Sequence, residues 1–363
     1  MAEQNQPISP ARVHFDRAMV ALNFGRLDEA ERECRRCLAL APGATEAANI
    51  LGIVLARAGR TDEAIQVFQM VSAQRPDFVP ALNNLGLLLR LKRRHADSLS
   101  CFQKLLALDP TSKEAQFQVA AALVELGRTR EAIAALKEAV RRDPKNGHAR
   151  HMLAALRGRT TDAPPIEYVR SLFDDYAPAF EEHLIKNLAY DIPAVLRRMV
   201  GTVETRRFAR MLDIGCGTGL VGAAFADRAD CMIGVDVAPN MVRAAKAKQL
   251  YAELHAMEIA AFLQRPDATG FDLVLAADVI IYVGKLDDLF AAVAPAMTHG
   301  GVFGFSIETA ASGDFVLTPS GRYAHGAAYV ERLAATVGFE VAAHERATIR
   351  TGYPGEVFVL RRT

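Results

Sequence analysis

Small, apolar and turn-forming residues return every 34 positions through the first part of the chain. Ala30, Ala64, Ser98 and Ala132 share this spacing, as do Gly25, Gly59, Arg93 and Gly127, and Pro42, Pro76, Pro110 and Pro144. The period predicts a unit of two helices joined by a turn. A small side chain lets the two helices approach closely. Glycine ends the first helix, and proline stops the second. Phe68 and Phe102 take a matching large position between units, with Cys34 and Leu136 at the other two. Gly52 and Gly86 take the close-contact position of the first helix, with Ala18 and Ala120 elsewhere. Four units therefore run from about Ala11 to Pro144, and 147–156 reads as a capping helix.

The pattern changes after Arg157–Pro165, which breaks the helical period and reads as a linker or an ordered crossing. Apolar runs at 208–212, 232–235, 252–256, 271–276, 301–307, 340–345 and 355–360 now alternate with helix-like stretches. Alternation of this kind predicts a doubly wound, mostly parallel sheet of seven strands. The expected domains are a helical solenoid at 1–160 and an α/β domain at 161–363. Ligands bind at the carboxyl ends of such strands. That rule selects 213–219, 236–241, 257–258, 276–282 and 306–308.

The first of these segments is Asp213-Ile-Gly215-Cys-Gly217-Thr-Gly219, a glycine-rich turn between a strand and a helix. Glycines there let the backbone approach a ligand. Asp236 ends the next apolar run, about where a carboxylate would hold ribose hydroxyls. A dinucleotide fingerprint is one reading, because Gly217, Gly219 and Gly222 satisfy its spacing. The alternation of three glycines opened by an acid, however, resembles motif I of the class I S-adenosylmethionine-dependent methyltransferases. The whole second half resembles that Rossmann-like family, through Phe173-Asp-Asp-Tyr176, 213–219, Gly234-Val-Asp236-Val-Ala-Pro-Asn-Met241, Asp278-Val-Ile-Ile-Tyr-Val283 and Pro319–His325. Joined to the 34-residue period, which is that of the tetratricopeptide repeat, it is similar to bacterial methyltransferases that carry such repeats. Those are related to the methyltransferase-like proteins of the Williams–Beuren region.

The resemblance implies S-adenosyl-L-methionine as cofactor and roles for individual residues. Asp213 would help hold the methionine amino group, with Gly215, Gly217 and Gly219 passing beneath the methionine and ribose. Asp236 would accept from both ribose hydroxyls. Val237 and Met241 would flank the adenine, and Met257 and Glu258 would meet its edge. Ala277 and Asp278 would close the floor near the sulfonium, unless Asp278 faces the acceptor. Tyr176 belongs to an aromatic helix face, with Phe173 and Phe180, that packs on the core or forms a lid.

Arg322-Tyr323-Ala-His325 lies between the fifth strand and the last helix and is expected as a loop over the carboxyl edge. There Arg322 would bind an acidic group of the acceptor, while Tyr323 or His325 would orient or deprotonate it. Tyr282 and His183 are further candidates. An Asn-Pro-Pro-Tyr tetrapeptide does not follow the fourth strand. With a net charge of only +1, this argues against nucleic acid as substrate.

Composition narrows the setting. No apolar run is long enough to cross a membrane, and the first residues lack the regions of a signal peptide. Five scattered cysteines suit a reducing cytoplasm. Cys34 and Cys37 have C-x-x-C spacing, but inside a helical repeat they read as small core residues rather than metal ligands. Residues 1–160 carry a net charge of +7 and the remainder −6. This fits solvated surfaces or a basic half that docks on something acidic. Groove-facing positions such as Phe15, Met19, Asn49, Arg90 and Phe117 mix apolar and polar types. They suit a peptide, a partner protein or self-association. The function expected is methyl transfer to a small-molecule, carrier-bound or protein acceptor. The alternative is a repeat-based adaptor with a vestigial cofactor fold.

Overall fold

The computed structural model describes residues 9–177, 180–182, 184, 190–350 and 352–363, without the side chains of Asp175, Tyr176 and Glu182. The chain divides into two compact units, Met1–Ala149 and Arg150–Thr363.

The first unit holds four helix pairs: α1 (Pro10–Asn23) with α2 (Leu27–Leu40), α3 (Thr45–Arg57) with α4 (Thr61–Gln74), α5 (Val79–Leu91) with α6 (His95–Leu108), and α7 (Lys113–Glu125) with α8 (Thr129–Arg142). Each pair follows from the 34-residue spacing. Ala30, Ala64, Ser98 and Ala132 are all fully buried. A Cβ added at Gly52 would stand 2.6 Å from the Phe68 ring, and one at Gly86 would stand 2.8 Å from Phe102, so the rings occupy the space these glycines leave. Both departures in type have a local answer. The Ser98 hydroxyl donates to the Gly86 carbonyl at 2.8 Å, which satisfies a buried polar group. Arg93 takes φ +58°, the left-handed turn that glycine supplies in the other three units. Cys34 and Cys37 are buried in the helical core, and burial pushes the Cys34 thiol up to about 12. Asn49, expected in the groove, is instead buried and accepts from Asn84 Nδ2 at 3.3 Å.

The division between units falls inside α9 (Gly147–Leu156), ahead of the expected boundary at 160. Residues beyond it bond within the second unit. The Thr160 hydroxyl accepts from the Leu317 N–H at 3.2 Å, and His151 Nε2 lies 2.9 Å from the Gly321 carbonyl oxygen.

In the second unit, α10 (Ile166–Tyr176), the short α11 (Phe180–Glu182) and α12 (Ile192–Val203) precede the sheet. There follow β1 (Phe208–Ile214), α13 (Leu220–Phe225), β2 (Ala229–Asp236), α14 (Pro239–Ala247), β3 (Glu253–Ala256), α15 (Ile259–Leu263) and β4 (Phe271–Ala276). A 3-10 turn (Ile280–Tyr282) leads to α16 (Asp287–Ala296) and β5 (Met297–Thr309). The chain closes with β6 (Phe315–Leu317), β7 (Tyr323–His325), α17 (Ala327–Thr336), β8 (Phe339–Arg350) and β9 (Tyr353–Arg362).

The sheet has nine strands rather than seven. Strands β3, β2, β1, β4 and β5 lie side by side and parallel. Strand β9 runs antiparallel along β5 and carries β8 on its other side. The two extra strands, β6 and β7, are three residues each and form a hairpin whose β7 pairs with Glu308 and Thr309 at the end of β5. Side chains alternate across the sheet. Leu212 and Ile214 share a cluster with Phe290 and Val330, whereas Met211 shares one with Leu196 and Val200. β4 is buried along its whole length, as a parallel strand covered on both faces should be. In register, Asp213 stands opposite Gly234 of β2 and Leu275 of β4, so these three strands end at the same level.

Candidate functional site

Those level ends open on a cavity of about 390 Å³. Its floor is Gly215–Thr218 after β1, Asp236 and Val237 at β2, and Ala277 and Asp278 after β4. Ile166, Val169 and Phe173 of α10, with Phe180, Leu184, Tyr190 and Tyr282, supply an apolar and aromatic wall. Phe173 meets Tyr282 edge-on, with centroids 4.9 Å apart. The α10 segment is tied to α14, because the Asn240 N–H donates to Asp174 Oδ1 at 2.8 Å. The Tyr176 side chain and His183 lie outside the described residues.

The glycines of the turn do different things. A Cβ at Gly215 would stand 2.4 Å from Val279, so this glycine is required for packing against the β4 side. At Gly217, with φ +52°, the nearest atom to such a Cβ would be the Phe180 ring at 3.7 Å. That is an ordinary contact, and Gly217 lines the cavity. Gly219 caps α13 in the left-handed conformation. Gly222, the third glycine of the dinucleotide spacing, has another explanation. Its missing Cβ makes room for the Tyr251 hydroxyl, 2.4 Å from where that atom would be.

Tyr251 also explains Asp213. This aspartate is fully buried and is not among the cavity-lining residues. Its Oδ2 accepts from the Tyr251 hydroxyl at 2.6 Å, and the same hydroxyl accepts from the Gly222 N–H at 3.2 Å. Oδ1 has no hydrogen-bond partner among the described residues. Burial pushes Asp213 up to about 7, against the pull of Tyr251. The acid thus braces the turn from behind.

Asp236 does line the cavity. Its Oδ2 accepts from the Gly217 N–H and its Oδ1 from the Ala238 N–H, both at 2.9 Å. Each oxygen keeps acceptor capacity for a ligand hydroxyl. Burial pushes this group up to about 6, opposed by those backbone donors. Val237 and the exposed Glu258 line the same end. Met241 is fully buried, and Met257 packs against the core; both lie behind the lining.

Asp278 sits at φ +60°, with its N–H donating to the Ser306 hydroxyl at 2.9 Å. Left-handed backbone is uncommon outside glycine, although Asp tolerates it better than most. Arg350 Nη2 donates to Asp278 Oδ1 at 3.1 Å and to Glu308 Oε1 at 3.0 Å. Arg322 Nε donates to the same Glu308 oxygen at 2.8 Å and lies over the Tyr353 ring. Burial pushes Asp278 up to about 6, opposed by Arg350. Glu308 lies in the 306–308 segment that the strand-end rule selects, but Arg350, 72 positions from Asp278, was not legible as its partner.

The expectation for 322–325 needs correction. Residues 323–325 form strand β7 rather than a loop, with Arg322 just before it, and neither Arg322, Tyr323 nor His325 lines the cavity. Tyr323 and His325 are fully buried. The Tyr323 hydroxyl is 2.7 Å from that of Thr161, and His325 Nε2 is 2.8 Å from the Gly284 carbonyl oxygen. Burial holds the His325 imidazole below its usual range. These side chains hold the wall together from behind, and Arg322 is committed to Glu308.

Among the described residues no group of three or more His, Cys, Asp or Glu is arranged to hold a metal. No helix among them is long and apolar enough to cross a membrane.

Residues 212–303 match the model of a methyltransferase domain, and residues 15–77 and 89–156 match two tetratricopeptide-repeat models. No curated protein matches the chain. Among solved structures, the chain is similar to the MamA RS-1 ArsTM double mutant (22% identity, 41% of this chain, 85% of the other, TM-score 0.40). It is also similar to the [4+2]-cyclase SpnF (16%, 56% and 98%, 0.46). A third similar structure is the N-methyltransferase NodS of Bradyrhizobium japonicum in complex with S-adenosyl-L-homocysteine (18%, 47% and 85%, 0.39). At such scores these likenesses add no weight to the sequence-model matches. The chain is a tetratricopeptide-repeat protein that carries a methyltransferase domain, and the methyl donor of such a domain is S-adenosylmethionine.

Proposed function

We propose that the second unit transfers a methyl group to an acceptor that enters the apolar end of the cavity, and that the repeats recruit a protein partner or self-associate. The observation that carries this reading is the pairing of Asp236 with the Gly217 turn. A carboxylate with spare acceptor capacity and a cavity-lining stretch of backbone meet at the ends of two adjacent strands.

When bound, S-adenosylmethionine supplies a methyl group on a sulfonium, already a good leaving group. The chain's work is then alignment and exclusion of water. Asp236 would accept from the ribose hydroxyls while its bonds to Gly217 and Ala238 fix its orientation. Val237 and Glu258 would border the base, with Met241 and Met257 supporting that end from behind. Gly217 would let the backbone pass close beneath the ligand. Asp213, through Tyr251, would hold the turn in shape. Ala277 and Asp278 would close the floor at β4. Phe173, Phe180 and Tyr190 would keep water from the reacting atoms. The acceptor is a small molecule or a group presented on a carrier or protein.

Calorimetric titration of the full chain with S-adenosylmethionine and with S-adenosylhomocysteine tests this. Both should bind, and Gly217→Arg should abolish binding by filling the cavity while circular dichroism stays unchanged. A folded Gly217→Arg protein with near-normal affinity would reject the site.

A further inference from the structure

We propose that Asp278 senses the charge on the cofactor's sulfur, so that the cavity holds the methylated donor in preference to its demethylated product. This rests on the methyltransferase reading above.

The argument begins with the charges that face the cavity. Among its described lining residues, Asp162, Glu258, Lys285 and Asp288 are exposed. The acids held away from solvent are Asp236 and Asp278. β2, β1 and β4 are neighbours and end level. Asp236, the Gly217 turn and Asp278 therefore form a row across three strands. A nucleoside anchored by its sugar at Asp236 and crossing the turn meets β4 next, and Asp278 is the acid there.

Asp278 is built into that place. Its N–H is tied to Ser306, its backbone is left-handed, and Arg350 holds one of its oxygens. The groups around it come from every element packed there: Arg350 from β8, Glu308 from β5, Arg322 beside β7, Tyr282 from the 3-10 turn, and Tyr190 before α12. Two guanidinium groups face two carboxylates, so the cluster is balanced without a ligand. Arg350 is shared, since the nitrogen that reaches Asp278 also reaches Glu308. Ionised Asp278 is therefore only partly compensated, and burial already moves it up to about 6. A sulfonium beside it adds a positive charge and favours the carboxylate; a neutral thioether does not.

The two ligands differ only by a methyl group and the charge on sulfur. Contacts to sugar, base, amino and carboxyl groups are common to both. The Asp236 contact, itself near its titration range, cancels in the affinity ratio. The pH dependence of that ratio therefore reports the groups that face sulfur.

The experiment is calorimetry on the full chain with both ligands from pH 5 to 8. The preference for S-adenosylmethionine should rise roughly fivefold across this range, with most of the change at and just below pH 6, the size expected of one partly screened charge contact. At pH 6, S-adenosylmethionine should release more protons on binding than the product does, read from buffers of different ionisation enthalpy. Asp278→Asn keeps the left-handed tolerance and an oxygen for Arg350, and in it the ratio should be flat. A pH-independent ratio in the unaltered protein, which needs no variant, overturns the proposal. So does a variant that keeps the rise. If neither ligand binds at any pH, the methyltransferase reading falls first and this inference with it.

Discussion

Replacing Tyr251 by Phe removes one oxygen from behind the glycine turn. That oxygen donates to Asp213 at 2.6 Å and accepts from the Gly222 N–H at 3.2 Å. Losing the acceptor for Gly222 costs about 1 kcal/mol at any pH. Losing the donor to Asp213 depends on the charge of that acid. A hydrogen bond to a carboxylate is worth about 2 kcal/mol, and one to a neutral acid about 1 kcal/mol. Asp213 titrates near 7 in the folded chain, raised from 3.8 chiefly by burial. A raised acid binds its proton more tightly folded than unfolded. Its favourable contribution is therefore complete at low pH and is lost as pH rises through about 7. Tyr251→Phe raises this group further, so the variant should lose about 2 kcal/mol at pH 5 and about 3 kcal/mol at pH 8. Urea unfolding at the two pH values measures this, in the transition that S-adenosylmethionine shifts. With a slope near 2 kcal/mol/M, the extra loss at pH 8 moves the midpoint by about 0.5 M. An equal loss at both pH values, or a larger one at pH 5, would refute the role given to the Asp213–Tyr251 pair.

Other outcomes follow from single contacts. Arg93→Gly should stabilise the repeat unit by about 1 kcal/mol, because Arg93 alone of the four equivalent turns is not glycine at positive φ; an unchanged melting midpoint would show that the turn is not strained. Tyr323→Phe should lower stability by about 1 kcal/mol through loss of the Thr161 contact and leave S-adenosylmethionine affinity unchanged; a large fall in affinity in calorimetry would return that residue to the site. Asp236→Asn should weaken both ligands by roughly 100-fold, since it loses charge-assisted bonds to two hydroxyls; an equal affinity would remove Asp236 from the sugar contact.

Several features were legible in the chain because they depend on neighbours in sequence. The repeat shows itself through small residues, turns and prolines at one spacing, each acting within its own helix pair. The Gly215–Gly219 turn and Asp236 lie at the ends of apolar runs whose boundaries sequence marks well. Even the departures at Ser98 and Arg93 are answered locally, by a hydroxyl bonded to Gly86 and by a left-handed backbone.

What tertiary structure decided depends on strand order and register, which no local pattern carries. The return of β8 beside β9 brings Arg350 to Asp278 across 72 positions. Pairing with the end of β5 turned 323–325 into a buried strand, so a phenol and an imidazole that looked available for chemistry became supports behind the wall. Tyr251 gave Gly222 and Asp213 their purposes only once β3 had been laid against β2. Side-chain type and spacing determine which helices and turns form, because those bonds close within a few residues. Which acid faces the cavity and which lies behind it is settled by packing, because burial and charge pairing are properties of the assembled core.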